Sequence, residues 1–519
     1  MSSSKLKGVM LNAYPDSIGK DLSDIVRMLQ MDAFEDAFSK FYILPTFFNS
    51  DLDRGFSIID YDTNDELVAE SDIADLKAMG IDLKFDIVLN HLSVASPQFK
   101  DLLQHGEDSE YIDFFIDWNK FWEGNGEMND EGVMIPKKEY LDKLFMRKSD
   151  LPVLKVKFPD GSYRPYWNTF YQKVDHDKGT YLGQMDVNAK SPLVWEFYED
   201  VLAKVKGYGC SILRLDAFAY LHKEVGEVNF FNKPGTWDYL AKINDIATRN
   251  ELELLPEIHS EYGSYLHDEV AKEGYVIYDF FLPGLIIHAI EFGDNGPLIS
   301  WAKEIIVKDY KTVNMLGCHD GIPVLDLKGK AINGTHNKGL LEDDVIEQMI
   351  ELILERGGTV KNLYGADGQK ISYYQVNATY YSALGESDRK MLLARALQLF
   401  MPGIPQVWYL DIFCGRNDSK AVKNAGVGGH KEINRTTLSM ADIDAGLQTK
   451  VVQDQLKLLR LRNTHPAFDG VIAFEEKGGA DVHISWVNGE HVATLYANLK
   501  THDCRVIYSD KDGEVEWEV

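Results

Sequence analysis

Eight short apolar runs recur along the chain, separated by segments that carry apolar residues at helical spacing. They are Gly8–Tyr14, Phe41–Phe48, Leu83–Asn90, Ser211–Phe218, Leu252–His259, Tyr275–Pro283, Val313–Gly317 and Gln406–Leu410. Several are continuous rather than alternating, as parallel strands buried on both faces must be. Leu193–Lys206, Trp237–Asn250 and Asp388–Phe400 have helical periodicity. Eight strands with intervening helices predict an α/β chain built on a (β/α)8 barrel, with a doubly wound sheet as the alternative on pattern alone.

Two intervals are too long for a minimal barrel. About 120 residues separate the third and fourth runs and about 85 the seventh and eighth, and neither can be a structureless loop. The expected organisation is a barrel from 1–91, 193–320 and 386–466, with subdomains inserted over 92–192 and 321–385. Period-two segments at Val482–Val487, His491–Ala497 and Arg505–Ser509 predict a small C-terminal β domain over 467–519.

Composition narrows the function classes. A net charge of −28 argues against nucleic acid and anionic membrane as partners. The longest apolar runs are far shorter than the ~20 residues that span a bilayer. The first residues, MSSSKLKGVMLNAY, do not form a secretory signal. Cys210, Cys318, Cys414 and Cys504 stand far apart, which predicts reduced thiols in a cytoplasmic protein and no zinc cluster.

Polar residues at the ends of the apolar runs carry the chemistry. The third run ends DIVLNH (Asp86, Asn90, His91), the fourth LRLDAF (Arg214, Asp216), the fifth LLPEIH (Glu257, His259), and the seventh leads into GCHDG (His319, Asp320). A lone acid at a strand end is more often a loop anchor or helix cap. Carboxylates converging on one barrel mouth are costly unless the site uses them. Their number suits glycosidic-bond cleavage with retention, which needs an ionised nucleophile and a protonated acid roughly 5 Å apart. Arg214 and Asp216 are two apart on one strand and face the same side, so the guanidinium is expected to keep Asp216 ionised. Glu257, among Leu254, Leu255, Pro256 and Ile258, is expected to be desolvated and near Asp216, as a general acid requires.

The strings DIVLNH, ILRLDAF, LLPEIH, LGCHDG and QMDVN (Gln184–Asn188) resemble the signature regions of the α-amylase superfamily of glycoside hydrolases. Nearly end to end, the chain resembles its sucrose-phosphorylase-type subgroup. LPTFFNSDLDRGF (Leu44–Phe56), YWNTF (Tyr166–Phe170), YYQVNATYYSALG (Tyr373–Gly385) and INR (Ile433–Arg435) also match. The resemblance implies a retaining glycoside phosphorylase, a glycosyltransferase in activity, working by double displacement on a small α-glucoside and inorganic phosphate without a cofactor or metal. It implies Asp216 as nucleophile, Glu257 as acid/base and Asp320 as transition-state stabiliser. Asp53, Phe56, His91, Phe170, Gln184, Arg214, His259, His319 and Lys431 are the implied substrate-binding residues. Arg147 and Lys148, in LFMRKSD, fall where the subgroup carries phosphate contacts, and His336, Asn337 and Lys338, in GTHNKGLL, form a second phosphate or acceptor candidate.

Three departures lie on the aglycone side. Sucrose-specific members read THDGIGV where this chain reads CHDGIPV (Cys318–Val324), and Pro323 fixes φ and removes a donor. A Gly-Arg pair before INR is replaced by GGHKE (Gly428–Glu432), in which Lys431 keeps the charge but loses the bidentate fork. Residues 171–183 lengthen the loop before Gln184. The altered strings look most like the glucosylglycerol-using branch, which makes 2-O-α-glucosylglycerol the expected substrate. Sucrose and sucrose 6′-phosphate are the alternatives within the subgroup. A plain hydrolase or transglucosidase and a non-catalytic sugar-binding homologue are the alternatives outside it. A monomer or homodimer is expected.

Overall fold

A computed structural model describes residues 7–147, 150–175, 180–364, 370–426, 429–475, 479–511 and 513–519. Eight strands, β1 (Met10–Ala13), β2 (Lys40–Ile43), β3 (Asp82–Val88), β4 (Cys210–Asp216), β5 (Glu253–Pro256), β6 (Ile277–Asp279), β7 (Thr312–Met315) and β8 (Ile404–Trp408), form one sheet in the order β5-β4-β3-β2-β1-β8-β7-β6. Neighbours in sequence are neighbours in the sheet, with β8 beside β1, which is the strand order of a (β/α)8 barrel. The recorded ladders are parallel, pairing Met10 with Gln406, Val313 with Ile404, Leu213 with Phe85 and Leu213 with Leu254. Each strand overlaps one of the eight apolar runs. All four residues of β1 and six of the seven in β3 are buried, because helices cover a parallel sheet on its outer face.

The helices arise from ordinary signals. In α1 (Pro192–Gly207) proline begins the first turn and Lys204 and Lys206 lie in the last, and Val194, Trp195, Tyr198, Val201, Leu202 and Val205 form its buried stripe. The other two expected helices are α2 (Gly235–Arg249) and α3 (Asp388–Phe400), the latter capped by Ser387.

The chain divides into two compact units. One comprises Met1–Tyr42, Ala69–Asp82 and Ile258–Val519, and the other Ile43–Val68 and Leu83–Glu257. In the second, the long interval after β3 has its own core of Ile116, Trp118, Trp122, Val133 and Trp167. Two antiparallel pairs stand in that interval, Val153–Lys157 with Tyr163–Trp167 and Gln172–Asp175 with Thr180–Asp186. In the first unit, the interval after β7 holds a hairpin (Lys330–Ile332, Thr335–Asn337), a helix (Asp343–Glu355) and a further antiparallel pair. Its C-terminal end is a five-stranded antiparallel sheet, β9 (Val471–Phe474), β10 (Asp481–Asn488), β11 (His491–Asn498), β12 (Asp503–Asp510) and β13 (Gly513–Glu518), in sequential order. The four cysteines are free, and burial pushes the thiols of Cys210, Cys414 and Cys504 up to about 12. Among the described residues no helix is long and apolar enough to cross a membrane.

Candidate active site

In the second unit, Arg214 gathers three carboxylates. It pairs in register with Asp86 across β4 and β3, so both side chains rise from the same level of the sheet. Nη1 lies 2.5 Å from Asp86 Oδ1 and 2.9 Å from Asp216 Oδ1, and Nη2 lies 2.7 Å from Glu257 Oε1. One planar guanidinium therefore holds Asp216 and Glu257 within its own span, the kind of close spacing a retaining pair needs. Asp86 is fully enclosed, whereas Asp216 and Glu257 keep 15% and 17% of their side-chain surface open. Glu257 departs from expectation here. It leaves β5 one residue past the ladder, with its backbone N–H on the Leu215 carbonyl at 3.3 Å, and its carboxylate turns to a cation instead of lying among apolar neighbours. Ala217, directly after Asp216, has φ 54, a left-handed conformation that a non-glycine residue holds only when its surroundings fix it.

His91, Phe56, Gln184 and Phe170 stand together in the same unit. The Phe56 carbonyl lies 3.1 Å from His91 Nε2 and accepts from Gln184 Nε2 at 3.3 Å. Burial lowers the pKa of His91, against the opposing pull of Asp186, the Phe56 carbonyl and Asp53. Asp53 is exposed, in a turn of left-handed residues. Gly55 ends that turn, where a Cβ would come 2.4 Å from Thr46 N. The Phe56 ring faces the Arg214 guanidinium at 5.6 Å. Phe170 lies 4.9 Å from the His91 ring and 5.1 Å from the Tyr220 ring, and the Arg147 guanidinium sits 5.6 Å from its centroid. Tyr220 has its pKa raised by burial, with Arg147 opposing and Glu257 and Asp216 adding to the rise. The exposed Arg147 thus belongs to the surroundings of the carboxylate pair, and Lys148 lies outside the described residues.

A buried ion pair that the sequence reading did not single out braces this group. Lys223 Nζ meets Asp186 Oδ2 at 2.8 Å and donates to Asn90 Oδ1 at 2.8 Å, while Thr169 Oγ1 donates to Asp186 at 2.6 Å. Asp86 and Asn90, residue types that could suggest a calcium site, are tied to Arg214 and Lys223 instead.

In the first unit, His319 and Asp320 occupy a tight turn after β7, closed by reciprocal bonds between Cys318 and Gly321. Gly321, at φ 114, has no room for a side chain because Val376 O is 2.5 Å from where its Cβ would be. Asp320 Oδ1 meets Lys431 Nζ at 2.5 Å and lies 3.9 Å from Arg435 Nη2, and Oδ2 lies 3.4 Å from His319 Nε2. Burial alone raises the Asp320 carboxyl, but His319, Lys431 and Arg435 together outweigh it and hold the group well below the usual carboxylate range. Arg435 also donates from Nε to the His319 carbonyl at 2.9 Å and lies over the Tyr14 ring. It is a site residue for which the sequence offered only the string INR. Sulfur, nitrogen and oxygen of Cys318, His319 and Asp320 fall within 4.8 Å of one another, a grouping the cysteine spacing did not reveal, but Asp320 already carries two cations.

His259 does not stand with this group. Its Nδ1 lies 3.0 Å from Asp326 Oδ2, and its ring stacks on Phe280 at 4.3 Å and 14°. His336 and Lys338 are exposed on and just after the inserted hairpin, and Asn337 Nδ2 donates to the Gly263 carbonyl at 2.8 Å. Pro323 lies on the edge strand of its small sheet, opposite Gln375, where a missing donor does no harm.

No family model matches the chain. It is 59% identical, over 99% of its own length and 98% of the relative's, to a sucrose 6(F)-phosphate phosphorylase of Ilumatobacter coccineus. It is 30% identical, over 97% and 96% of the two chains, to a glucosylglycerol phosphorylase of Marinobacter adhaerens. The crystal structure of a sucrose 6F-phosphate phosphorylase from Thermoanaerobacter thermosaccharolyticum superposes with a TM-score of 0.87 at 33% identity, covering 100% of this chain and 98% of that one. An α-amylase from H. orenii shares the fold at a TM-score of 0.63 and 15% identity, covering 99% and 97%.

Proposed function

The chain belongs to the sucrose phosphorylase group of the α-amylase superfamily, and from that premise we propose that it moves the glucosyl group of sucrose 6F-phosphate to inorganic phosphate, releasing fructose 6-phosphate and forming α-glucose 1-phosphate. It is a glycosyltransferase-type enzyme, a phosphorylase of sucrose-type glucosides. The substrate rests on one observation, the 59% identity with a protein named for sucrose 6(F)-phosphate. Glucosylglycerol, expected from the loop strings, has the weaker support of a 30% identical relative.

The roles follow the family's motifs. In the first half-reaction the Asp216 carboxylate, paired with Arg214, attacks the anomeric carbon. Glu257 gives a proton to the bridging oxygen, and the acceptor leaves from a glucosyl-enzyme. In the second half, phosphate attacks the same carbon, Glu257 takes back a proton, and Asp216 is released. Two inversions give retention. Asp320 is the stabiliser, an anion matched to oxocarbenium character at the transition state. Phe56, His91, Phe170, Gln184 and Asp53 hold the glucosyl ring, with aromatic faces suited to developing positive charge. Arg147 and Lys148 receive phosphate, with His336, Asn337 and Lys338 as further acceptor contacts. Local cations are needed because a chain of charge −28 repels a dianion. A product already phosphorylated, together with four free thiols, fits a cytoplasmic setting.

The test is to run the reaction backwards. Given α-glucose 1-phosphate, the enzyme should glucosylate fructose 6-phosphate with a higher kcat/KM than fructose, glycerol or glycerate, releasing phosphate. Preference for glycerol would restore the glucosylglycerol reading. Release of glucose alone, unaffected by phosphate in the forward direction, would remove the phosphorylase.

A further inference from the structure

Asp326 is a carboxylate 1% exposed on a short turn, Leu325–Leu327, whose two leucines are buried beside it. An enclosed carboxylate is costly unless a cation or donors meet it. The charged groups facing it are His259, at 3.0 Å from Oδ2, and Glu261, both on the segment that follows β5. Glu261 is in turn matched by Lys330 at 2.9 Å. Burial raises the Asp326 carboxyl, His259 opposes, and Glu261 adds to the rise. The imidazole cannot turn away, because Phe280 lies flat against it and Tyr278 lies flat against Phe280 in turn. The backbone is fixed as well. Gly263 N–H donates to the Lys328 carbonyl at 3.1 Å, its carbonyl accepts from Asn337, and a Cβ on Gly263 would come 2.4 Å from Lys330 N. The segment bearing His259 and the inserted segment bearing Asp326 therefore form one block.

We propose that Asp326 is a positioning residue that acts through His259, fixing a proton on Nδ1 and favouring the imidazolium, so that His259 serves as a cation for the phosphorylated acceptor. The proposal rests on the phosphorylase reading. His259 lies two residues past Glu257 in sequence, on the strand end that carries the acid/base. An Asp–His pair of this kind sets which nitrogen holds the proton and raises the share of the charged form near neutrality. The pair thereby tunes the half-reaction with a dianion more than the half-reaction with a neutral leaving group.

The test compares Asp326→Asn, His259→Gln and the double variant in the full-length enzyme. Two assays are needed: phosphorolysis followed by α-glucose 1-phosphate, and hydrolysis of p-nitrophenyl α-glucoside without phosphate. Asp326→Asn should lower kcat/KM for phosphate tenfold or more while changing the hydrolytic rate less than twofold. It should also move the alkaline limb of the phosphorolysis pH profile down by about one unit, since the imidazolium has lost its counterion. In the His259→Gln background, Asp326→Asn should have no further effect. Equal losses in both assays, an unmoved alkaline limb, or an effect that persists without His259 would overturn the proposal and leave Asp326 a structural residue. If the wild-type enzyme makes no α-glucose 1-phosphate, it is the phosphorylase reading that fails. Should Asp326→Asn not fold, Asp326→Glu keeps the test, because it restores the charge and should restore the alkaline limb.

Discussion

Replacing Arg214 with methionine removes one cation from three carboxylates, and the structure separates the consequences. Asp86 has no exposed side-chain surface. A buried carboxylate stripped of its partner destabilises a protein by about 3–5 kcal/mol, and Arg214→Met should lose that much in urea unfolding. Asp216 and Glu257 each lose a charge-assisted hydrogen bond, about 1.5–3 kcal/mol apiece. If those bonds orient the pair in the transition state, kcat/KM falls about 10²–10⁴-fold. Adding Asp86→Asn removes the stranded charge without touching Asp216 or Glu257. The double variant should therefore recover most of the stability and almost none of the turnover. Stability is read from urea midpoints at constant slope, and turnover from initial rates of α-glucose 1-phosphate release. A single variant as stable as wild type, or a double variant with restored turnover, would refute the reasoning.

Three further outcomes follow. Because Lys431 helps hold Asp320 well below the usual carboxylate range, Asp320 stays ionised until the pH falls through that depressed value. Lys431→Met raises it, so the acid limb of the pH–rate profile should move to higher pH, and a stationary limb would detach Lys431 from Asp320. Arg147→Ala, which takes the guanidinium from Phe170 and Tyr220, should raise the KM for phosphate about 10–100-fold and leave p-nitrophenyl α-glucoside hydrolysis within a factor of two. With Asp86 and Asn90 tied to Arg214 and Lys223, dialysis against a chelator should leave turnover unchanged. A loss restored by calcium would contradict that.

The barrel was legible because buried parallel strands cannot hide their apolar runs, and each of the eight runs overlaps a strand. Ends were less so. The run Leu83–Asn90 leaves the ladder at Val88, where the Asn90 side chain takes up bonds with Asp186 and Lys223. Tyr275–Pro283 holds only a three-residue strand, and its last two residues begin the helix Leu282–Phe292, with Pro283 in the first turn. A buried helix start and a buried strand look alike when every residue is apolar. In the site, Arg214 and Asp216 could be paired by their spacing of two on one strand. Arg435 with His319 (116 positions apart), Lys431 with Asp320 (111 apart) and Asp326 with His259 are joined only by the fold. The ion pair of Glu257 with Arg214 was unreadable for another reason: neighbouring leucines in sequence say nothing of what stands across the sheet.

The most direct measurement is to trap the intermediate. Glu257→Gln, given α-glucosyl fluoride, should accumulate a covalent enzyme heavier by one anhydroglucose, and peptide mapping should place that mass on Asp216, with phosphate discharging it as α-glucose 1-phosphate. Glucose attached to another residue, or β-glucose 1-phosphate formed with no adduct, would contradict the account.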